Sequence, residues 1–540
     1  MGLVDQEIAI TNQLMDLCTP SSPVEFIVAS CGKQAVQAVR RYLPHGRPTD
    51  LYWQYLAWHE HRKLTGLQSS VDESSGAKEC VQAASWSTFW RVYQKWREVL
   101  RPRAESDHAK CQTCYELQTQ LYCKHAAPQE KMRIAHAWRT HLQHQYLDRQ
   151  IYWSLRAASQ DFTSPILTII IDSMDRKKTV YPKWTFDRAP KQIATLGARP
   201  RLVVTAALAH GYVNSWFLAP DELPHGSDAY IEVLCQVISQ VEDICKQQGR
   251  GLPPHLVLQA DNTVSQTKNG IVGGFAAYLV GKQLFQTVTI NFLMVGHTHE
   301  DVDQCFGLLV SQVIRRHKYE TPEELRQYTE AVLGPGSFSS GSKCTVQKLE
   351  VLRGFSTWLQ PLGVHQLGCW QTRDGLEAPH SFTYKLHMDM KHTEKASAQR
   401  HRMFGQPDPK DVMCCIKTYM RDRNLQQPPI CVLPQSRLQS AGMPIHPTVS
   451  IGPSMPQKEQ ERLKYFAQVM DEDIYGYHRA AASIRDLIQM CNRAPVFSQN
   501  TSWLTNPGQH DRQPLVLPDE NPFFAHLPES SWHMRVEVRR

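Results

Sequence analysis

Hydrophobic and polar positions follow a regular order between residues 165 and 316, and this order predicts a mixed α/β sheet. Three apolar runs come first with no helical pattern between them, as in antiparallel strands. Two more apolar runs follow, and stretches of helical period alternate with them. The predicted strands contain the segments PILTIIID, RLVVTAALA, YVNSWFLA, HLVLQAD and TVTINFLMV.

The predicted order of strands and helices is typical of a ribonuclease H-like fold, and we assign the core of that fold to residues 161–335. In front of it, SWSTFWRVYQKWREVLRPR predicts an amphipathic helix with a basic polar face. Residues 81–160 are therefore expected to form a mainly helical module. The other expected segments are a helical or irregular region at 1–80, a small α/β extension at 336–402, a proline-rich irregular linker at 403–457, and a helical segment with a loosely held tail at 458–540.

A chain of 540 residues with 41% hydrophobic positions is long enough for several units with buried cores. The net charge of +7 is small for this length, so it allows a nucleic-acid partner without requiring one. No apolar stretch reaches the length of a membrane span, and the first residues lack the pattern of a secretory signal. We therefore expect an intracellular protein whose 15 cysteines are reduced thiols or metal ligands.

Acidic residues follow the ends of three predicted strands. Asp172 ends the first strand, Asp261 ends the fourth, and the fifth leads into GHTHEDVDQ. Because strand ends in such a sheet collect at one edge, we expect these acids to form one site. In the helix that follows, the apolar stripe leaves Glu300 on the opposite side and places Asp301 and Asp303 beside it. We favour Asp303 as the third acid, with Asp301 as the alternative.

Three carboxylates at one edge repel one another unless cations lie between them, and Mg²⁺ or Mn²⁺ suits such oxygen ligands. Two such ions can activate water or a 3′-hydroxyl against a phosphodiester. The pattern therefore predicts metal-assisted phosphodiester cleavage, with Asp172, Asp261 and Asp303 as catalytic residues. Asp175 is an alternative to Asp172. The competing interpretation is that these acids only form turns and helix caps.

Two histidines precede the third acid. His297 and His299 resemble ligands of Zn²⁺ or Fe²⁺, because imidazole favours these ions over Mg²⁺. Alternatively, they orient the loop through hydrogen bonds, or one of them is a general acid or base.

The start of the helix after Asp261 offers a site for phosphate. Lys268 and Asn269 lie there, and helix amides at such a position favour anions. We predict that these two residues and Asn262 contact nucleic acid. The alternative for Lys268 is a solvated surface lysine.

The segment CQTCYELQTQLYCKH has the ligand count of a structural zinc site, and it opens with a C-x2-C knuckle. The predicted ligands are Cys111, Cys114, Cys123 and His125. The alternatives to the last two are His136, His141 and His144. The competing interpretation is a set of reduced cysteines packed in a small helical domain. A zinc module beside a basic, aromatic helix would suit nucleic-acid binding.

The segments IIIDSMDRKKTVYPKW, LQADNTVSQTKNGIVGGF and TINFLMVGHTHEDVDQCFG, with the upstream HAKCQTCYEL, lie within residues 85–320. Together they resemble an uncharacterised eukaryotic, transposon-derived family with a D-N…K-N block, a G-H-T-H-x-x-x-D-Q block and often a C-x-x-C module. The resemblance implies an integrase- or transposase-like domain of ribonuclease H type. The third acid is Asp where many transposases have Glu, which argues against strand transfer. The matching positions are Asp172, Asp175, Asp261, Asn262, Lys268, Asn269, Gly296, His297, Thr298, His299, Asp303 and Gln304.

These patterns predict a transposase- or integrase-like nuclease of transposon origin that acts on nucleic acid, most simply DNA, in the nucleus. Its expected cofactors are Mg²⁺ or Mn²⁺ at the acids and a structural Zn²⁺. A second hypothesis is a catalytically inactive nucleic-acid-binding or scaffolding protein of the same origin. A third is a zinc or iron enzyme built on His297, His299 and Asp303. No membrane partner is predicted, and oligomerisation is left open.

Overall fold

The chain forms two compact units. The first contains Met1–Gln150, Val295–His297 and Pro518–Arg540, and the second contains Ile151–Met294 and Thr298–Leu517. The computed structural model describes residues 10, 19–20, 26–31, 34–39, 41–43, 47–65, 83–97, 100–102, 111–123, 125–183, 199–294, 301–333, 343–363, 378–395, 407–444 and 446–496.

The first unit consists of short strands and helices. Its described strands are β1 (Thr19–Pro20), β2 (Phe26–Cys31), β3 (Gln34–Val39), β4 (Arg41–Leu43) and β5 (Leu100–Pro102). β4 pairs with β1 in antiparallel and with β5 in parallel orientation, whereas β2 and β3 form an antiparallel pair. Its described helices are α1 (Pro48–Thr65), α2 (Trp86–Trp96), α3 (Gln112–Leu121) and the first part of α4 (Pro128–Gln160), as far as Gln150.

Helix α2 has the amphipathic character that the sequence predicts. Ser85 caps its start, because the Ser85 hydroxyl accepts a hydrogen bond from the Thr88 amide. Phe89 is buried on its inner side, in a cluster with residues of α1. Trp86 and Trp90, which are four residues apart, are stacked on each other and exposed. The buried side of α2 therefore explains part of its aromatic content, and the outer side carries the rest.

Within the described residues, the second unit contains a nine-stranded mixed sheet. β7 lies antiparallel between β6 and β8, whereas β9 is parallel to both β6 and β10. The order along the sheet is β11-β8-β7-β6-β9-β10-β13-β14-β15. The strands are β6 (Ile166–Ser173), β7 (Leu202–Ala209), β8 (Val213–Pro220), β9 (His255–Ala260), β10 (Thr287–Phe292), β11 (Lys343–Lys348), β13 (Ser381–Leu386), β14 (Val412–Lys417) and β15 (Ile430–Leu433), and a separate pair is formed by β12 (Leu352–Arg353) and β16 (Ser450–Ile451).

The predicted mixed α/β class is thereby confirmed, and the five central strands have the order expected for the ribonuclease H-like core. The helices of the second unit cover both faces of the sheet. Leu167, Ile169 and Ile171 pack in the cluster that includes residues of α5 and α6, whereas Ile170 packs in the cluster that includes α7, α11 and α12. Burial on both faces is the reason that β6 appears as an unbroken apolar run. The helices are α5 (Ser227–Gln247), α6 (Gly270–Gly281), α7 (Asp301–Leu308), which continues as a π-helical segment (Leu309–Ile314), α8 (Pro322–Leu333), α9 (Phe355–Leu359), α10 (Gln435–Ser440), α11 (Gln457–Met470) and α12 (His478–Asn492).

The segment at 403–457 departs from the prediction of an irregular linker. Its described part contains β14 and β15, which extend the central sheet beyond β13. The prolines lie outside the strands, with Pro429 directly before β15 and Pro434 directly after it. At such boundaries the missing amide hydrogen of proline removes no hydrogen bond from the sheet. The proline content of this segment therefore predicts a linker, whereas the segment forms two strands of the central sheet.

Candidate functional site

Asp172 and Asp261 meet at the carboxyl ends of two neighbouring strands of the second unit. β6 and β9 are parallel, and Ile170 lies opposite Gln259 in their register. The parallel pairing ends there, and two residues after these positions Asp172 and Asp261 lie at the same edge of the sheet. Both aspartates line one cleft at this edge. The first two acids of the predicted site are therefore brought together.

The walls of this cleft come from the sheet, from α5 and from the turn after β9. Ser173 and Thr205 line it, and their hydroxyl oxygens lie 2.8 Å apart. Gly226, which precedes α5, and Tyr230 in its first turns also line the cleft. The amides at the start of a helix carry partial positive charge. This end of α5 therefore carries partial positive charge, part of which the Asp228 carboxylate in the first turn offsets.

Both aspartates of the pair retain some exposure to solvent. Asp261 is exposed, and its two oxygens accept hydrogen bonds from the Asn262 amide and the Thr263 hydroxyl. Asp172 is partly exposed, and its Oδ1 accepts from the Ser173 amide at 2.7 Å. A carboxylate has about four lone-pair sites, so Asp261 keeps the capacity to coordinate a cation. Two oxygen-donor side chains at one edge fit a hard divalent cation such as Mg²⁺.

Asn262 and Lys268 connect the turn after β9 to the end of β10. The Asn262 side-chain amide donates to the Leu293 carbonyl, and its Oδ1 accepts from Lys268 Nζ at 3.1 Å. Lys268 Nζ also lies 5.2 Å from the centre of the Phe292 ring. Burial lowers the pKa of Lys268 to about 8. Both side chains therefore have partners within the protein, and neither is among the described residues that line the cleft.

Asn269 caps helix α6. Its Oδ1 accepts from the amides of Ile271 and Val272, at 3.1 Å and 3.2 Å. Its side-chain amide donates to the Ser227 hydroxyl at the start of α5 and to the Val264 carbonyl. This capping role satisfies amides that a helix start leaves without intrahelical acceptors. Asn269 thus fixes the turn that follows Asp261.

Asp301 belongs to a partly buried network on the other side of β6. The Tyr152 hydroxyl donates to Asp301 Oδ1 at 2.8 Å, and Arg156 donates to Oδ2 at 3.1 Å. His210 Nε2 lies 3.1 Å from the Tyr152 hydroxyl oxygen and 3.5 Å from Asp301 Oδ2. Burial lowers the pKa of His210 to about 4, although the nearby Asp301 carboxylate acts in the opposite direction. Asp301 is not among the residues that line the cleft.

The other predicted site residues have different positions. Asp303 is partly buried in the first turn of α7, and it does not line the cleft in the part of the chain that the structure describes. Asp175 caps the short 3₁₀ turn Arg176–Lys178, because its Oδ1 accepts from the Lys177 amide. His297 and His299 lie outside the described residues, as does all of 295–300.

Two buried amides, Gln259 and Asn291, are absent from the predicted site residues. They lie opposite each other in the register of β9 and β10, and each is only 2% exposed. Gln259 Oε1 and Asn291 Oδ1 have no hydrogen-bond partner, which costs about 1–3 kcal/mol for a buried polar group. Strand alternation places Gln259 on the same face as Asp261. Both residues could have been found in the sequence as amide side chains that interrupt otherwise apolar strands.

The predicted zinc ligands of the first unit are only partly grouped. Cys111, Cys114 and His141 form a cluster in which the donor atoms lie within 4.8 Å of one another. Cys123 and His125 are exposed and are not members of this cluster. His141, one of the alternative ligands, is therefore the residue that joins the C-x2-C pair.

A known family model matches part of the chain, including part of the cleft. Residues 198–401 match the family model described as Domain of unknown function (DUF7869). This range contains Asp261 and Asp303, but it begins after Asp172 and after the cysteine cluster. No curated protein and no solved structure matches the chain. Among the described helices, none is long and apolar enough to span a membrane. The family match therefore covers residues 198–401, which are less than half of the chain.

Proposed function

We propose that this protein is a transposase- or integrase-like nuclease of transposon origin that cleaves phosphodiester bonds of nucleic acid with the help of a divalent cation. The observation that carries the proposal is the position of Asp172 and Asp261 at the carboxyl ends of adjacent parallel strands, where both line one cleft. Acids at the carboxyl ends of parallel strands are well placed to bind ligands, because that edge is open to the solvent. DNA is the proposed substrate, and the nucleus the proposed location.

The surroundings of the pair support a site for a cation and a phosphate together. Asp172 and Asp261 would hold the cation, and the start of α5 would attract the phosphate. When bound, such a cation polarises a phosphoryl oxygen and lowers the pKa of a coordinated water. Ser173 and Thr205 add two hydroxyls at the same rim, and because one donates to the other, the remaining proton can be donated to a phosphate oxygen.

Asp303 is our proposed third carboxylate. Asp301 is the weaker choice, because its two oxygens already accept hydrogen bonds from Tyr152 and Arg156 in a partly buried network. The proposal assigns Asp303 a supporting part, since it lies outside the lining of the cleft in the described structure.

The alternative function is a catalytically inactive nucleic-acid-binding or scaffolding protein of the same origin. One observation favours it. Asn262, Lys268 and Asn269 all have partners within the protein, and these contacts fix the ends of β9 and β10 and the start of α6. Residues with such contacts stabilise the fold, so a protein without catalytic activity would also need them.

A cleavage assay separates the two functions. Labelled single-stranded and double-stranded DNA, and RNA of the same sequence, would be incubated with the full chain and Mg²⁺ or Mn²⁺. We expect cleavage that chelation abolishes and that Asp172→Asn or Asp261→Asn lowers on the order of 100-fold or more, because a lost ligand removes several kcal/mol of transition-state stabilisation.

The matched control is Asp473→Asn, which neutralises a fully exposed aspartate at another position of the same unit. This variant should cleave like the wild type. Cleavage that all four proteins share at one rate would assign the activity to a contaminant and favour the non-catalytic alternative. An Asp303→Asn variant tests the third acid separately, with an expected loss that is smaller than the loss for Asp261→Asn.

A further inference from the structure

Two thiols and an imidazole converge in the first unit. The Sγ atoms of Cys111 and Cys114 and a ring nitrogen of His141 all lie within 4.8 Å of one another. The distance from Cys111 Sγ to His141 Nε2 is 3.3 Å. Cys111 directly precedes α3 and Cys114 lies in its first turn, whereas His141 lies in α4. Two helices thus bring these groups to one point.

The spacing of the three groups fits one tetrahedral ion. Thiolate sulfur and imidazole nitrogen bind zinc at about 2.3 Å and 2.0 Å, so donors of one tetrahedral site lie within about 4 Å of each other. The distance of 3.3 Å between Cys111 Sγ and His141 Nε2 lies within this range, and no pair of the three donor atoms is separated by more than 4.8 Å. Two sulfur donors and one nitrogen donor select Zn²⁺ over Mg²⁺ or Ca²⁺, which prefer oxygen ligands.

The location of the group also fits a structural metal. Cys111 is buried, and Cys114 and His141 are partly buried, so their three donor atoms are partly shielded from water. Cys114 packs against a small apolar cluster at the contact of α1, α3 and α4. The buried members of this cluster are Ala57, Leu121, Ile134, Ala135 and Trp138. Because so small a core contributes little free energy of folding, a metal crosslink between helices adds substantially to it.

We propose that Cys111, Cys114 and His141 bind one zinc ion that joins the start of α3 to α4, with the fourth position taken by water or by His144, three residues further along α4. This ligand set replaces the pair Cys123 and His125 that sequence spacing favours. Helix periodicity places His141 and His144 on one side of α4. The zinc ion in this site has a structural role and is independent of the acids in the second unit.

Metal analysis of the purified full chain tests this ligand set. After expression with added zinc and dialysis without chelator, we expect about one zinc ion per chain, as for a single structural site. Cys114→Ser and His141→Ala should lower the content at least about tenfold. Cys123→Ser and His125→Ala are matched controls, since they remove the same atom types only a few residues away, and both should keep the metal.

A second measurement on the wild-type chain avoids any dependence on the folding of the variants. Replacement of zinc by Co²⁺ should give a thiolate-to-cobalt absorption band and the strong visible bands of a tetrahedral site. Wild-type protein that binds neither zinc nor cobalt would overturn the proposal. Loss of metal in Cys123→Ser or His125→Ala, with retention in His141→Ala, would overturn the ligand set in favour of the sequence-based one.

Discussion

Two aspartates that the sequence places in one candidate site, Asp261 and Asp301, have opposite surroundings. Asp261 is exposed at the end of β9, accepts hydrogen bonds from its next two neighbours, and lines a cleft together with Asp172. Asp301 is held by Tyr152 and Arg156 beside a buried histidine. A carboxylate that binds a ligand must stay accessible, whereas a carboxylate that stabilises packing must have its partners in the fold. The first arrangement points to chemistry and the second to stability.

The largest expected effect is the loss of stability in Asp301→Ala. Removal of this carboxylate deletes its bonds to Arg156 and Tyr152 in a partly buried network, which should lower the free energy of unfolding by about 2–4 kcal/mol. Asp261→Ala should change it by less than about 1 kcal/mol, because Asp261 is exposed and its partners are its own neighbours in the chain. Urea denaturation of both variants measures the difference, with the exposed Asp473→Ala as control. Equal losses of unfolding free energy in Asp261→Ala and Asp301→Ala would contradict the difference in surroundings described for the two aspartates.

The network around Asp301 should also make stability depend on pH. Burial lowers the pKa of His210 from 6.5 to about 4, so between these values the unfolded chain binds a proton that the folded chain does not. The contribution is therefore fully present above about pH 6.5 and is lost as the pH falls towards about 4, in total about 3 kcal/mol. Denaturation of the wild type and of His210→Gln at several pH values in this window measures it. A pH dependence that is identical in both proteins would assign the effect to other groups.

The smallest expected effect concerns Lys268. Like Asp301, this residue is bonded within the protein, although it follows Asp261 closely in the sequence. Its ammonium is buried, bonded to Asn262 and close to the Phe292 ring. Lys268→Met keeps the length of the side chain, so we expect a change in stability below about 1 kcal/mol and unchanged affinity for DNA. If Lys268 instead contacts a phosphate, its replacement should weaken DNA binding and reduce the salt dependence by about one contact. Fluorescence anisotropy at several salt concentrations distinguishes these outcomes.

The central sheet could be predicted from the sequence because burial on both faces leaves a strong signal. Ile169 and Ile171 pack on one side of β6 and Ile170 on the other, which gives the run TIIID its character. The position of Asp172 and Asp261 also follows from local information, since parallel neighbouring strands bring their ends to the same edge. Short strands with flanking prolines, such as β15, cannot be predicted in the same way, because their composition resembles that of a loop.

The remaining features of the two sites depend on contacts between segments that are distant in the sequence, and the sequence does not show these contacts. The apolar stripe of α7 orients Asp301 relative to its own helix, but it cannot show that Tyr152 and Arg156 reach it from α4. Likewise, spacing favours His125 over His141 as a zinc ligand, because only the packing of α3 on α4 brings His141 near Cys111. Gln259 and Asn291 become visible only once the register of β9 and β10 is known.

The measurement that tests the account most directly is Mn²⁺ binding, followed by the loss of the electron paramagnetic resonance signal of the free ion. The account predicts that the wild type binds Mn²⁺ and that Asp172→Asn and Asp261→Asn each bind it at least about tenfold more weakly, while Asp473→Asn binds it like the wild type. Binding curves that coincide for the wild type and both cleft variants would contradict the claim that Asp172 and Asp261 together hold a divalent cation.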